Sequence, residues 1–196
     1  MSNLYFVSNY KNKIINLLLK NDDFIKLIDP APSPHDELDI IDVLIGGTWI
    51  IDGEEYTEQG HIFDYNFVDE TTDDQKTFVF VETDIDSVIN NIFVDFNLYV
   101  CIFTEKRLVR LTDRTSPTVQ EIKDMGYFAS NYANRIDVLC DIADRILNGT
   151  DKLVGLGDVN PSERGHVTIY TPNSRYYGKC LKYHIENYNE VDDCEN

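Results

Sequence analysis

Apolar residues recur at helical spacing in two parts of the chain. Near the start, one stripe predicts a helix, and Asn21 with Asp22 then provides a stop and a new N-cap for one further turn. That stripe consists of Tyr10, Ile14, Leu17 and Leu18. The second and stronger pattern runs from Phe128 to Leu147 and ends at Asn148-Gly149. We therefore predict an N-terminal helix and a long helix in the second half of the chain.

The middle of the chain is patterned for strands. Residues 40–45 predict a short strand, residues 62–67 are expected to be extended, and residues 77–81 predict a strand that is apolar on both faces. The strongest pattern has an apolar residue at every even position, which is the period of a strand with one buried face. These positions are Ile92, Val94, Phe96, Leu98, Val100 and Ile102. Because the alternate positions are also largely apolar, we expect this strand to be central in its sheet.

Two β-hairpins follow from turn chemistry. Asp52-Gly53 joins Trp49–Ile51 to Glu54–Tyr56, and Asp-Gly favours a two-residue type I′ turn because both central residues need positive φ. The second hairpin closes the domain: Val167 and Ile169 form one strand, and Leu181 belongs to the other. Between these hairpins, residues 154–165 are expected to form a loop.

Two interpretations are possible for the start of a helix near residues 116–121. Ser116 followed by Pro117 has the chemistry of an N-cap and a first helical position. Thr118 with Glu121 three residues later forms the alternative, a capping box.

The order of elements predicts an α+β domain. We expect a mainly antiparallel sheet, packed with the N-terminal helix and the long helix and completed by the closing hairpin. We expect residues 1–188 to form this single domain and residues 38–74 to form an extended excursion that includes a projecting Asp-Gly hairpin. Residues 189–196 carry four acidic residues and no base, and we expect a flexible acidic tail.

Charge changes this picture because the chain carries 35 acidic and 17 basic residues, a formal net charge of -18. A protein that grips the phosphate backbone is disfavoured. Residues 21–86 contain 19 of the acidic residues and two lysines, so most of the excess lies in one third of the chain. This region is either a solvated face, or a surface that lies near DNA without holding it, or one that docks on a basic partner.

No pattern of reactive residues indicates an enzyme. Four cysteines, Cys101, Cys140, Cys180 and Cys194, lie far apart without a C-x-x-C pair, and we expect reduced thiols, with Cys101 and Cys140 packed in the core. Four histidines, His35, His61, His166 and His184, lack zinc spacing and are expected on the surface or on strand faces. We predict no catalytic, cofactor-binding or metal-binding residues. No apolar run approaches the roughly 18 residues of a membrane span, so no membrane partner is expected.

A basic group follows the long strand. It consists of Lys106, Arg107, Arg110 and Arg114. This group could contact nucleic acid, but the negative net charge favours contact with the acidic region of a neighbouring subunit or with a second protein.

The order of elements resembles the tail terminator, or tail-completion, proteins of long-tailed bacteriophages. The resemblance rests on four segments: Ile14–Leu19 in the opening helix, Asn134–Leu139 and Leu147–Gly149 in the long helix, and Gly178–Tyr183 in the closing hairpin. It implies a virion structural protein without enzyme activity or cofactor, found in the phage tail or neck and in the host cytoplasm during assembly.

The resemblance also implies partners. Such a protein forms a homohexameric ring that caps the tail tube and contacts a neck or connector protein, while DNA passes through its lumen without specific binding. We expect the basic group to face an acidic neighbour or a tube subunit. The Asp-Gly hairpin, with Trp49, Asp52, Glu54 and Glu55, is expected to project towards the lumen or the next ring.

Three alternatives remain open at this point. Another neck ring, such as a head-completion or stopper protein, would be distinguished by its binding partner. A DNA-mimic inhibitor would use its carboxylates to occupy a basic protein. An enzyme with carboxylates that hold magnesium would need several of them to converge in one pocket.

Overall fold

The computed structural model describes residues 5–28, 38–65, 76–89, 93–127, 129, 132–148, 158–163 and 165–188. Its helices are α1 (Tyr5–Leu19), α2 (Asp22–Ile28), α3 (Ile40–Ile45), α4 (Val119–Asp124) and α5 (Arg135–Leu147), with a 3₁₀ turn, η1, at Lys106–Leu108. Its strands are β1 (Gly47–Ile51), β2 (Glu54–Glu58), β3 (Ile62–Phe63), β4 (Thr77–Ile89), β5 (Phe93–Glu105), β6 (Arg110–Leu111), β7 (Ala133–Asn134), β8 (Asp158–Pro161), β9 (Val167–Tyr170) and β10 (Tyr176–Tyr188).

Strand β5 lies in the middle of a six-stranded sheet with the order β3-β4-β5-β10-β8. Strand β9 also pairs with β10, so β8 and β9 follow each other along one edge of the sheet. All pairings in this sheet are antiparallel except that of β3 with β4. The predicted α+β class, the central position of β5 and the closing β9–β10 hairpin are confirmed.

The two faces of the sheet bury different kinds of residue. The even positions of β5 from Phe96 to Ile102, together with Val81 in β4 and Leu181 in β10, pack against α1, α2 and α5 and form the main core. Burial of this apolar area is the principal favourable term in folding. The opposite face buries a second, smaller cluster rich in aromatic rings, which comprises Phe78, Phe80, Cys101, Phe103, Tyr176 and Cys180.

Two of the cysteines are joined across the sheet, contrary to the expected reduced state. Cys101 in β5 and Cys180 in β10 are direct partners in the strand register and form a disulfide. The sequence alone did not indicate this pairing, because the two cysteines are 79 positions apart and only the antiparallel register brings them together. Cys140 in α5 is a free, buried thiol, as predicted. Cys194 lies outside the described residues.

Polar caps determine where several helices begin. Asn21 Oδ1 accepts a hydrogen bond from Phe24 N at 2.9 Å, which confirms the predicted break between α1 and α2. Thr118 and Glu121 form the capping box of α4. The predicted capping box is therefore confirmed, and the alternative helix start at Ser116-Pro117 is wrong. The long helix begins at Arg135 with Asn134 as its N-cap, and not at Phe128, which lies outside the described residues.

Residues 40–45 form a helix, and the predicted strand is wrong. Asp39 is the N-cap of α3, and its carboxylate accepts hydrogen bonds from Ile41 N and Asp42 N. The Asp42 side chain accepts in turn from Asp39 N, which completes a capping box. These capping bonds satisfy free N–H groups of a short helix and outweigh the β-propensity of its isoleucines and valine.

Other strands differ from the predicted lengths. Strand β4 continues to Ile89, well beyond the predicted end, and the expected loop at 154–165 contains β8. Ile62–Phe63 is a strand, and residues 66–67 of the predicted extended segment lie outside the described residues. The predicted tail at 189–196 also lies outside them, and the single-domain assignment stays a prediction.

A buried arginine ties four segments together. Arg135 is 2% exposed, and its guanidinium donates to three carbonyl oxygens: Leu27 O at 2.6 Å, Ser116 O at 2.8 Å and Leu108 O at 3.1 Å. Its backbone N–H donates to Val109 O at 2.8 Å. Carbonyls at the end of α2, at η1 and before α4 thus meet at the first residue of α5. A charged donor forms stronger hydrogen bonds than a neutral one, so this cluster fixes how the helices join.

We predict that Arg135→Met lowers the free energy of unfolding by about 3 kcal/mol, because three buried or part-buried carbonyls lose a charged donor. Chemical denaturation measures the change. Arg145→Met, on the exposed side of the same helix, is the matched control, and we expect a change below about 1 kcal/mol from its surface ion pair with Asp141. Equal losses in the two variants would contradict the role assigned to Arg135.

We predict that peptide mapping without reductant recovers Cys101 and Cys180 as one linked pair. Reduction, or Cys101→Ser with Cys180→Ser, should lower the free energy of unfolding by about 3–4 kcal/mol, because the bond closes a long loop. Burial raises the pKa of the Cys140 thiol to about 12, so this thiol should resist alkylation until the protein unfolds. Prompt alkylation of Cys101 in the native, unreduced protein would contradict the pairing.

Candidate interaction surface

The Asp-Gly hairpin forms a two-stranded sheet of its own. Strands β1 and β2 pair from Gly47 with Glu58 to Ile51 with Glu54. Asp52 and Gly53 have φ values of 52° and 83°, which are the positive angles of the predicted type I′ turn. The hairpin shares no pairing with the six-stranded sheet among the described residues. It is an appendage of the domain, as the sequence predicts.

Two glycines hold the base of this hairpin close to α3. A Cβ on Gly60 would lie 2.2 Å from Ile45 O, and a Cβ on Gly46 would lie 2.2 Å from Gly60 N. Gly46 also has φ of 74°, which disfavours any other residue. Next to this contact, His61 N donates to Leu44 O at 2.7 Å. Only glycine allows the two backbone segments to approach this closely, so the hairpin leaves the domain at a defined point.

A second anchor is ionic. Lys76 Nζ donates to Glu58 Oε1 at 2.7 Å, and the Tyr56 hydroxyl donates to Glu58 Oε2 at 3.0 Å. Burial acts to raise the pKa of Glu58, but the hydrogen bonds from Lys76 and Tyr56 outweigh it and hold this pKa below its usual value. Because Lys76 directly precedes β4, this contact joins the end of the hairpin to the main sheet.

The two faces of the hairpin differ in exposure. Trp49 and Tyr56 are cross-strand partners on the partly covered face, with ring centroids 6.1 Å apart. The other face is exposed at every position; it consists of Thr48, Ile50, Glu55 and Thr57. Ile50 is 68% exposed. Of the predicted interface residues, Asp52, Glu54 and Glu55 are exposed and Trp49 is half-buried.

The predicted basic group lies after β5 and is exposed. Lys106 Nζ donates to Ser174 O at 2.6 Å. Arg107 Nε donates to Glu105 Oε1 at 2.8 Å, while 68% of the Arg107 side chain remains exposed. Arg110 stacks 4.6 Å above the Tyr132 ring, and Arg114 is exposed in the following turn. Lys106 and Arg107 share η1, whereas Arg110 belongs to β6.

The basic group and the hairpin base lie at the same end of the sheet. Glu105 N donates to Lys76 O, so the end of β5 meets the start of β4, where Glu58 of the hairpin is bound. At the far end, strand register brings Asp84 opposite Asn97 and Glu186 opposite Asp158. The sequence alone does not reveal this acidic end, because Asp84, Asp158 and Glu186 belong to three strands that only the sheet pairing brings together.

Strand β9 is an exposed edge strand. It pairs with β10, and its other side has no strand partner among the described residues. Val167 is 46% exposed and Ile169 is 73% exposed. The strand contains neither a charged residue nor a proline, which are the usual features that protect an edge.

A polar network holds the start of β9. His166 Nε2 is 2.9 Å from Asp144 Oδ1, and His166 Nδ1 is 2.8 Å from Lys182 O. The hydroxyl of Tyr183 donates to the same Asp144 oxygen at 2.9 Å. Burial is the main cause that raises the pKa of this phenol, and the nearby Asp144 carboxylate adds to it. The network therefore positions the edge strand against α5 and offers no ionised phenolate for chemistry.

The remaining chemistry of the described residues is sparse. No three His, Cys, Asp or Glu residues in the described ranges come together as a possible metal site. His61 is buried, contrary to the expected surface or strand-face position, and its Nδ1 lies 2.8 Å from Thr77 O. Within the described ranges, no helix combines the length and the apolar character that would cross a membrane.

These features define an α+β protein whose most distinctive surfaces are an acidic hairpin, a basic segment and an apolar edge strand. The chain belongs to the YomW family, whose model matches residues 12–185. YomW is a phage-derived family, which suggests a phage protein. Neither a curated protein nor a solved structure matches the chain.

We predict that acid releases the hairpin base. Glu58 has a lowered pKa, so its contribution is complete above its unfolded pKa of about 4.3 and is lost as pH falls through the lower folded value. Trp49 is the only tryptophan, and its emission reports on the hairpin. Emission should stay constant from pH 7 to about 5 and change below about pH 4.

Glu58→Gln should show the acid-form emission of Trp49 already at pH 7. Glu55→Gln removes the same charge from the exposed face and serves as the matched control. An acid transition that survives unchanged in Glu58→Gln would contradict this assignment.

Proposed function

We propose that this protein is a phage virion structural protein, a tail terminator that forms a homohexameric ring on the tail tube. The ring stops growth of the tube and contacts the head-side neck. The proposal assigns no enzyme activity, no cofactor and no membrane partner, and it locates the protein in the virion after assembly in the host cytoplasm.

The observation that carries this proposal is the projecting hairpin. A two-stranded hairpin is marginally stable alone, and this one exposes Ile50 on a face that no described residue covers. Such a feature fits a protein that completes its surface by contact with another chain. Membership of the phage-derived YomW family supports the virion context.

Charge supports the ring more specifically. The hairpin segment 47–58 carries four acidic residues and no base, whereas Lys106 and Arg107 are exposed on η1. A subunit with unlike surfaces can associate head to tail, and such an interface closes into a ring at the right rotation. An acidic lumen would repel the DNA backbone and let it slide.

Another neck ring is the second candidate function, because a stopper or head-completion protein would also need exposed surfaces that contact neighbouring chains. A DNA-mimic inhibitor is less well supported. Several carboxylates of the acidic region already serve the fold: Asp39 and Asp42 cap α3, Glu58 binds Lys76, and Glu82 binds Lys11. Such carboxylates are not available to imitate a row of phosphates.

We expect mass photometry and negative-stain images of the full chain to show rings of about six subunits, alone or after addition of tail-tube protein. Arg107→Glu with Arg110→Glu should reduce ring formation, most strongly at low salt. Lys20→Glu with Lys123→Glu changes the net charge equally at two other exposed sites and is the matched control.

A monomer that ignores tube protein at all salt concentrations would overturn the proposal. Binding to a portal or adaptor protein, without binding to the tube, would favour another neck ring. Capture of a basic DNA-binding protein by the monomer would favour the inhibitor.

A further inference from the structure

Two exposed isoleucines belong to elements attached at opposite edges of the six-stranded sheet. The hairpin continues directly into β3, which is the edge strand next to β4, while β9 lies at the opposite edge next to β10. Ile50 on the hairpin is 68% exposed and Ile169 on β9 is 73% exposed, the two highest values among the large apolar residues described as exposed. Each would gain from burial, and three strands, β4, β5 and β10, separate β3 from β9 within one subunit.

We infer that the exposed Ile50 face of the hairpin packs against the β9 edge strand of a second copy of this chain. This inference rests on the proposed function, because it names the contact that joins neighbouring subunits of the ring. The interface is heterologous: each subunit gives its hairpin to one neighbour and receives a hairpin from the other. Repeated contacts of this kind produce a closed ring or an open filament, according to the rotation at each step.

Charge complementarity favours the hairpin of a second copy of this chain as the partner of the β9 edge strand. The turn that joins β9 to β10 carries Arg175, whose carbonyl accepts from Lys106 N, and the Lys106 side chain binds the same turn at Ser174 O. Lys179, which lies opposite Ile169 in the strand register, is already paired with Asp137 of α5 at 2.7 Å, so the cations open to a partner are those at the turn. An apolar strand with cations at its turn therefore matches a hairpin that carries Ile50 together with three exposed carboxylates, Asp52, Glu54 and Glu55.

Both partners are held in place before they meet. The His166 network fixes the start of β9 to α5 and β10. The Gly46–Gly60 contact and the Glu58–Lys76 ion pair fix the base of the hairpin. Because little conformational freedom is lost on contact, even a small interface can be specific.

Cysteine cross-linking tests this contact in the full-length protein. Ile50→Cys and Ile169→Cys are prepared as separate proteins in a Cys194→Ser background, mixed and oxidised. We expect a cross-linked dimer when the two are mixed, and a ladder of multimers when one chain carries both changes. Ser8→Cys mixed with Ile50→Cys is the matched control, because Ser8 is exposed on α1 and lies outside both the proposed contact and the basic group.

Association gives a second readout. Ile50→Asp and Ile169→Asp should each weaken self-association by about tenfold or more, since each loses apolar burial at the contact. Their thermal unfolding as monomers should not change, because both positions are exposed. Ser8→Asp, at an exposed position of α1, should leave association unchanged.

The outcomes separate the two proposals. Rings that persist in both Asp variants, without cross-linking of the Cys pair, would overturn the hairpin–β9 contact and leave the terminator proposal standing. Specific cross-linking in an assembly that never binds tail-tube protein would support the contact and overturn the terminator. A chain that stays monomeric at every concentration, with and without tail-tube protein, and never cross-links would overturn both.

Discussion

The pairing of β5 on both sides is the constraint on which the rest of the structure depends. Its side chains alternate strictly, so one register decides which residues face the helices and which face the aromatic cluster. The same register places Cys101 against Cys180 and gathers Asp84 and Asn97 at the far end. A shift of one residue would turn the core face outward. Both the hydrophobic core and the uneven charge of the two sheet ends follow from this single alignment.

Polar contacts then determine how the outer elements attach to that sheet. Arg135 joins the ends of α2 and η1 to the start of α5 through backbone carbonyls, and His166 joins the edge strand to the same helix. These side chains are distant in sequence from their partners, yet each supplies donors where backbone groups would otherwise be buried without them. The apolar core makes folding favourable, while these contacts select one arrangement of the periphery.

The sequence predicts most of the fold where a local rule dominates. Alternation in β5, the Asp52-Gly53 turn and the Asn21 cap are each decided by residues close in sequence, and these predictions are confirmed. The strand prediction at residues 40–45 failed because the Asp39 capping box outweighed the β-propensity of the apolar residues. The disulfide, the role of Arg135 and the exposed β9 edge depend on contacts between distant segments. The candidate interface residues were found by charge and turn chemistry, but their relation to β9 required the sheet topology.

The disulfide divides the molecule into two parts with different tethering. Cys101 and Cys180 close a covalent loop that contains α4, α5, β8 and β9, whereas the hairpin, α1 and β4 lie outside it. Force applied to the hairpin therefore reaches the core through a segment that no disulfide closes. Along this path, β4 can separate from β5 one backbone hydrogen bond at a time. Force applied to β9 acts inside the covalent loop, so the disulfide limits how far this segment can be extended. Under tension, the N-terminal segment is thus the compliant side of each subunit, and the edge strand is the stiff one.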